Sequence, residues 1–409
     1  MGSPLWRGDP LEVLLLRQKY RKVITAAIGL CLLLALVNFS VGTSTAWRKH
    51  QNFFVSASGD TSGVTDTANI QLAFDNAVEH RGSTVRLGRG TFYLNKEIVV
   101  VNFDGTFKGA GKGKTIIQNT EDHPFPLVSD PIWGLDGPQQ AGFAQMFLFY
   151  QDAATESTAA HPYTVKIVDM TIRVVGQSEF WIFGEEVMPF TSINPFFISG
   201  ISRMECVVDE ISYFNLFCHK VEIEGIASAD YFLFGSSAAH GIQFSGSNFL
   251  YVNQLSGIFS VTGCSFKAVT DCILPLGIFK DSLIIIHGNR FETILWGIEA
   301  YPSDSLLIIS NNEFHGVGTI PTFFPGYGII IDQVEPVSGK ILVFGNSFEC
   351  ADGATGMLLV DESYLAGGPI TLSGFVICNT FILGGPNSVD MVNLCSEDVK
   401  FYHNTVLGP

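Results

Sequence analysis

Lys267, Glu292, His315 and Glu349 each follow an aromatic residue in a short phrase that recurs along the chain. Two positions earlier in the same phrases stand Ser265, Arg290, Glu313 and Ser347. If successive phrases lie side by side, these residues form two columns on one face, with acid, base and cation within reach of one another. Glu292, His315 and Glu349 are then candidate catalytic groups for proton transfer. The plainer alternative is that opposite charges on neighbouring strands pair with each other, each exposed pair contributing little. A second acidic set is Glu299, Asp304, Asp332, Asp361 and Glu362. Glu299, Asp332 and Asp361 could offer oxygens to Ca²⁺, which takes several such ligands. Carboxylates on adjacent units could instead act as an acid paired with a nucleophile or base, or simply be solvated turn residues. A third group is Glu185 and Glu186, which lie among aromatic residues. Trp133, Tyr150 and Trp181 could stack on sugar rings, with Glu185 and Glu186 as the reacting pair, in a cleft between two insertions at 133–150 and 180–197.

The element that must position these groups is the phrase itself. It reads Gly263-Cys264-Ser265-Phe266, Gly288-Asn289-Arg290-Phe291, Asn311-Asn312-Glu313-Phe314, Gly345-Asn346-Ser347-Phe348, Cys378-Asn379-Thr380-Phe381 and His403-Asn404-Thr405-Val406. The spacings are 25, 23, 34, 33 and 25 residues. Runs of β-formers at 283–286, 306–309 and 341–344 precede phrases, and no helical periodicity appears. One supersecondary unit per repeat cannot bury its apolar face alone, so the units stack. Short strands joined by turns suit one coil of a parallel β-helix. The Asn can tolerate a left-handed turn and bond its equivalents about 4.8 Å above and below. Asn289, Asn312, Asn346, Asn379 and Asn404 should form that ladder, and the Phe two positions later should stack inside the coil. The ladder should end near Cys264 and Val406.

A second pattern covers residues 53–119. Phe54-Val55-Ser56-Ala57-Ser58-Gly59-Asp60 leads to Gly63-Val64-Thr65-Asp66-Thr67. An amphipathic stretch with Ile70, Ala73, Phe74 and Ala77 on one face follows, which Asp66 or Thr67 can cap. Strands and the glycine turn Gly109-Ala110-Gly111 come next. With the ladder, this resembles the pectate lyase-like superfamily. The resemblance implies an all-β, single-stranded right-handed parallel β-helix of ten or more coils over residues 53–409, plugged by an N-terminal helix. It also implies a polysaccharide lyase or glycoside hydrolase, or a non-catalytic glycan-binding or structural surface β-helix. A pectate-lyase mechanism would need an Arg, for which Arg203 and Arg290 are the available residues, together with Ca²⁺. The polygalacturonase motifs are absent: no Asp-Asp pair occurs, and Ala239-His240-Gly241 only approaches a Gly-His-Gly motif. The segment 109–115 misses the phosphate-loop spacing, because Lys108 stands where Gly is required.

The formal charge is -16, and residues 1–42 carry five basic and two acidic side chains, +3, which leaves -19 on the remainder. That balance argues against a nucleic-acid partner and against an uncompensated polyanionic substrate; polysaccharide or cell-surface glycan is the ligand that the resemblance implies. Residues 1–22 read as a basic cytoplasmic tail. Residues 23–42, uncharged and mostly apolar, are long enough to span a bilayer. Residues 43–52 form a linker. The expectation is a single-pass anchor with an extracytoplasmic body, the alternative being secretion after cleavage near Ala46. Seven Cys lie beyond residue 42 without a CxxC pair, as buried thiols or as disulfides.

Overall fold

The computed structural model describes residues 50–120, 143–152, 157–175, 181–183, 186–188, 192–202, 211–226, 240–245, 247–248, 251–252, 254–276, 278–318, 326–331, 338–360, 371–393 and 398–408. The segments 1–49, 332–337 and 361–370, with Asp332, Asp361 and Glu362, lie outside these, as do Trp133 and Glu185. No helix among the described residues is long and apolar enough to cross a membrane, and residues 23–42 lie outside them.

The chain winds as a parallel β-helix with three walls. The first wall runs in continuous parallel register from Asn52–Val55 through Ser83–Leu87, Gly105–Lys108 and the middle strands to Ser282–His287, Ser305–Ser310 and finally Val399–Tyr402. The second wall begins at Gly90–Leu94 and ends at Thr405–Leu407. The third begins at Ile98–Val101 and ends at Val389–Asn393. Alternation along each strand sends one set of side chains inward, and these form one continuous apolar core.

The ladder forms as expected. Each Asn side-chain amide donates to the next Asn carbonyl at 2.9–3.0 Å, from Asn289 to Asn404. The same carbonyl also accepts the backbone N–H of the preceding rung at 2.9–3.0 Å. The second amide proton goes to a first-wall carbonyl, for example Asn312 to Ile286 at 3.0 Å. Phe266, Phe291, Phe314, Phe348 and Phe381 stack with centroids 4.4–5.0 Å apart and planes within 9°.

Three expectations change. The left-handed turn belongs to the residue before the ladder Asn: Gly288, Asn311, Gly345, Cys378 and His403 all have φ between 51° and 66°. The ladder side chain is thereby free to point inward. The capping helix α1 spans Val64–Val78, starting earlier than Thr67, and its N-cap Gly63 makes no side-chain bond. Asp60 accepts from the Thr65 N–H at 3.0 Å and the Ser62 N–H at 2.9 Å instead. Asp66 turns inward and takes the N–H groups of Ser58 and Tyr93, both at 2.9 Å. The aromatic insertions are also partly wall. Phe143–Asp152 and Ser192–Ser202 are parallel strands paired with each other, and Phe147 and Phe149 are buried against Phe74 of α1. The ladder phrase does not extend into the earlier coils because Met170 and Val221 occupy its column, in register with each other, with Val221 one coil from Cys264. Cys218, Cys264, Cys272 and Cys350 are buried thiols.

Candidate functional site

The outer face of the second wall assembles the first set of expected groups. Lys267 pairs in register with Glu292, Glu292 with His315, and His315 with Glu349. The column extends upward through Glu224 and Arg173. Its neighbours Ser265, Arg290, Glu313 and Ser347 align in the same way. The charges satisfy one another. Arg173 lies 3.2 Å from Glu224, and Lys267 lies 3.9 Å from the same carboxylate. Arg290 bonds Glu292 and lies 3.3 Å from Glu313. His315 places Nδ1 3.1 Å from Glu349 and Nε2 3.5 Å from Glu313. These side chains are largely exposed, so each pair is screened and contributes little.

The third wall presents a different arrangement. Asp271 is in register with Trp296, and Trp296 with Tyr327. Gly297, Gly328 and Gly356 face inward. A Cβ on Gly297 would come 2.6 Å from the Phe314 ring, one on Gly328 2.6 Å from Phe348, and one on Gly356 2.5 Å from Phe381. The glycines make room for the Phe stack, and Trp296 and Tyr327 beside them are half-exposed. Asp271, in register with Trp296, is buried. Burial pushes its carboxyl well above the usual range, and the negative charge of Glu299 pushes it further. Glu299, half-buried, accepts a hydrogen bond of 2.7 Å from the Tyr301 hydroxyl.

This patch therefore holds a carboxyl that burial makes harder to ionise, beside a second carboxyl bonded by a phenol, in register with two aromatic rings. Such a pair can divide the roles of acid and base or nucleophile. Asp271 was missed in the sequence, although a lone acid inside the apolar run Val269 to Leu276 is a signal in itself.

The other expected residues are placed as follows. Trp181 and Glu186 lie in a two-stranded antiparallel pair, Trp181–Phe183 with Glu186–Met188. Tyr150 lies in the wall strand Phe143–Asp152, in register with Val101, and is half-buried. Of the calcium set, Glu299 belongs to the Asp271 patch and Asp304 forms an ion pair of 2.8 Å with Lys280. No group of three or more potential metal-binding side chains assembles among the described residues.

No protein-family model matches this sequence, and no curated protein matches it. Solved structures are similar in overall form. ORF18 of Geobacillus virus E2 aligns with a TM-score of 0.34 at 13% identity, over 87% of this chain and 62% of its own. The catalytic domain of a GH87 alpha-1,3-glucanase in complex with nigerose aligns at 0.28 and 10%, over 89% and 70%. The A-module of the Azotobacter vinelandii mannuronan C-5 epimerase AlgE4 aligns at 0.29 and 13%, over 88% and 96%. The chain thus spans less than two thirds of the viral protein.

Proposed function

We propose that this parallel β-helix is a polysaccharide-active enzyme of the pectate lyase-like superfamily, exported and tethered to the membrane through residues 23–42. Within that class we assign it hydrolysis of a glycosidic bond. The observation that carries the reading is the Asp271 and Glu299 pair beside Trp296 and Tyr327. Asp271, whose carboxyl is pushed up by burial and by its acidic neighbour, is suited to protonate a leaving glycosidic oxygen. Glu299, held by the Tyr301 hydroxyl, is suited to act as nucleophile or to activate water. Trp296 and Tyr327 would offer ring faces to the sugar.

A non-catalytic glycan-binding β-helix is the second reading, favoured by the mutual pairing of the second-wall charges. The test is to incubate the full chain with neutral and acidic polysaccharides, measuring new reducing ends and, separately, ultraviolet absorbance from unsaturated ends. Hydrolysis predicts reducing ends without unsaturation, lost in D271N and E299Q. Unsaturated ends would move the assignment to a lyase. Retention on a polysaccharide without any turnover would select the binding protein.

A further inference from the structure

Charge is distributed unevenly along the solenoid. Residues 50–120 carry seven basic and six acidic side chains, +1, whereas residues 121–409 carry nine and 31, -22. The basic groups of the first coils converge on the corner between the first and second walls. Phe54, Arg86 and Lys108 stand in register on adjacent strands. The following turns stack, with the Gly90 N–H donating to the Lys114 carbonyl at 2.9 Å. A Cβ on Gly88 would sit 3.1 Å from Phe54 Cζ, so the ring lies over the turn that carries Arg89. Lys108 is 3.4 Å from Asp169, and Lys112 donates to the Gly263 carbonyl and Ser265 Oγ at 3.2 and 3.1 Å. Arg86, Arg89 and Lys114 are exposed and form no ion pair among the described residues. Phe54 is 63% exposed, the highest value of any large apolar side chain described.

From this geometry we infer that the corner formed by Phe54, Arg86, Arg89, Lys112 and Lys114 is a docking surface for the anionic headgroups of a lipid bilayer. Cations that lack internal partners attract an anionic surface, and an exposed ring among them suits the interface between headgroups and acyl chains. The chain length preceding the solenoid points to the same occupant. Nine residues, 43–51, separate the apolar run 23–42 from the strand Asn52–Val55. At ~3.3–3.6 Å per residue, a bilayer-embedded run would keep that strand within about 30 Å of the membrane. The acidic remainder would be repelled, so docking would hold the Asp271 patch away from the bilayer plane. The inference rests on the anchoring part of the proposed function.

The test reconstitutes the full chain in vesicles of phosphatidylcholine alone or with phosphatidylglycerol added. Labelling of Lys112 and Lys114 by an amine-reactive reagent is read by mass spectrometry, with the exposed Lys340 as reference. Labelling should fall roughly tenfold in the anionic vesicles and recover at high salt, and labelling of Lys112 should be restored in R89E/K114E without added salt. Equal labelling in both vesicle types overturns the inference while leaving the anchor intact. Protein that washes off neutral vesicles but is retained and protected by anionic ones supports the inference and removes the anchor. Protection by soluble polygalacturonate and not by anionic vesicles overturns it in favour of an acidic glycan.

Discussion

On the outer face of the second wall, Glu224, Glu292, Glu313 and Glu349 each have a cation or imidazole within 3.9 Å. On the third wall, Asp271 is buried with the negative charge of Glu299 as its electrostatic neighbour. The two faces are built from the same coils and spaced by the same strand register. The first neutralises its charges and stays solvated, which stacking alone accounts for. The second buries a carboxyl in the field of another, half-buried one, which costs stability. A feature that opposes folding and persists in an otherwise self-satisfied solenoid is better explained by chemistry than by architecture. The residues with the most suggestive sequence spacing pair with one another, and the proposed reacting pair stands at no repeated spacing.

The largest effect that would sharpen this contrast is kinetic. D271N should lower polysaccharide turnover by about 10²–10⁴-fold, measured as reducing ends, while the protein remains folded by circular dichroism. Retained turnover would break the distinction between the walls.

The same substitution has a signed effect on stability. Because Asp271 holds its proton to higher pH in the native chain than in the unfolded one, its contribution is fully present below the ordinary carboxylate pKa and is lost as pH rises through the raised value. D271N does not titrate. Its stability relative to the parent in urea should therefore be greater at pH 8 than at pH 4, and a constant difference would contradict the assigned protonation.

The interior should be less forgiving than either face. N312L removes the acceptor of the Asn289 amide and backbone N–H and the donor to Ile286. It should cost about 3 kcal/mol by urea unfolding. G328A drives a methyl group against Phe348 and the Gly356 carbonyl and should cost about 1–3 kcal/mol.

The smallest effect belongs to the second-wall stripe. E292Q/H315A should leave turnover unchanged and shift the melting temperature by about 2 °C or less, since exposed ion pairs are screened. A large loss of turnover would return the active site to the Glu292, His315 and Glu349 column.

The sequence by itself determined the solenoid and the two ladders of its later coils. Asn and Phe at a constant offset in phrases 23–34 residues apart can satisfy their amides and bury their rings only by stacking. It also determined the outer charge columns, because a residue's offset from the ladder sets its side of the strand. The early coils escaped notice because Met170 and Val221 fill the ladder column with apolar side chains that look like any strand residue. Only the tertiary structure decided that Phe143–Asp152 is a wall strand, and that three glycines of the third wall open space for the Phe stack of the second. It alone brought Asp271 beside Trp296 and within the field of Glu299. Burial and electrostatic proximity arise between coils, so no single stretch of chain encodes them.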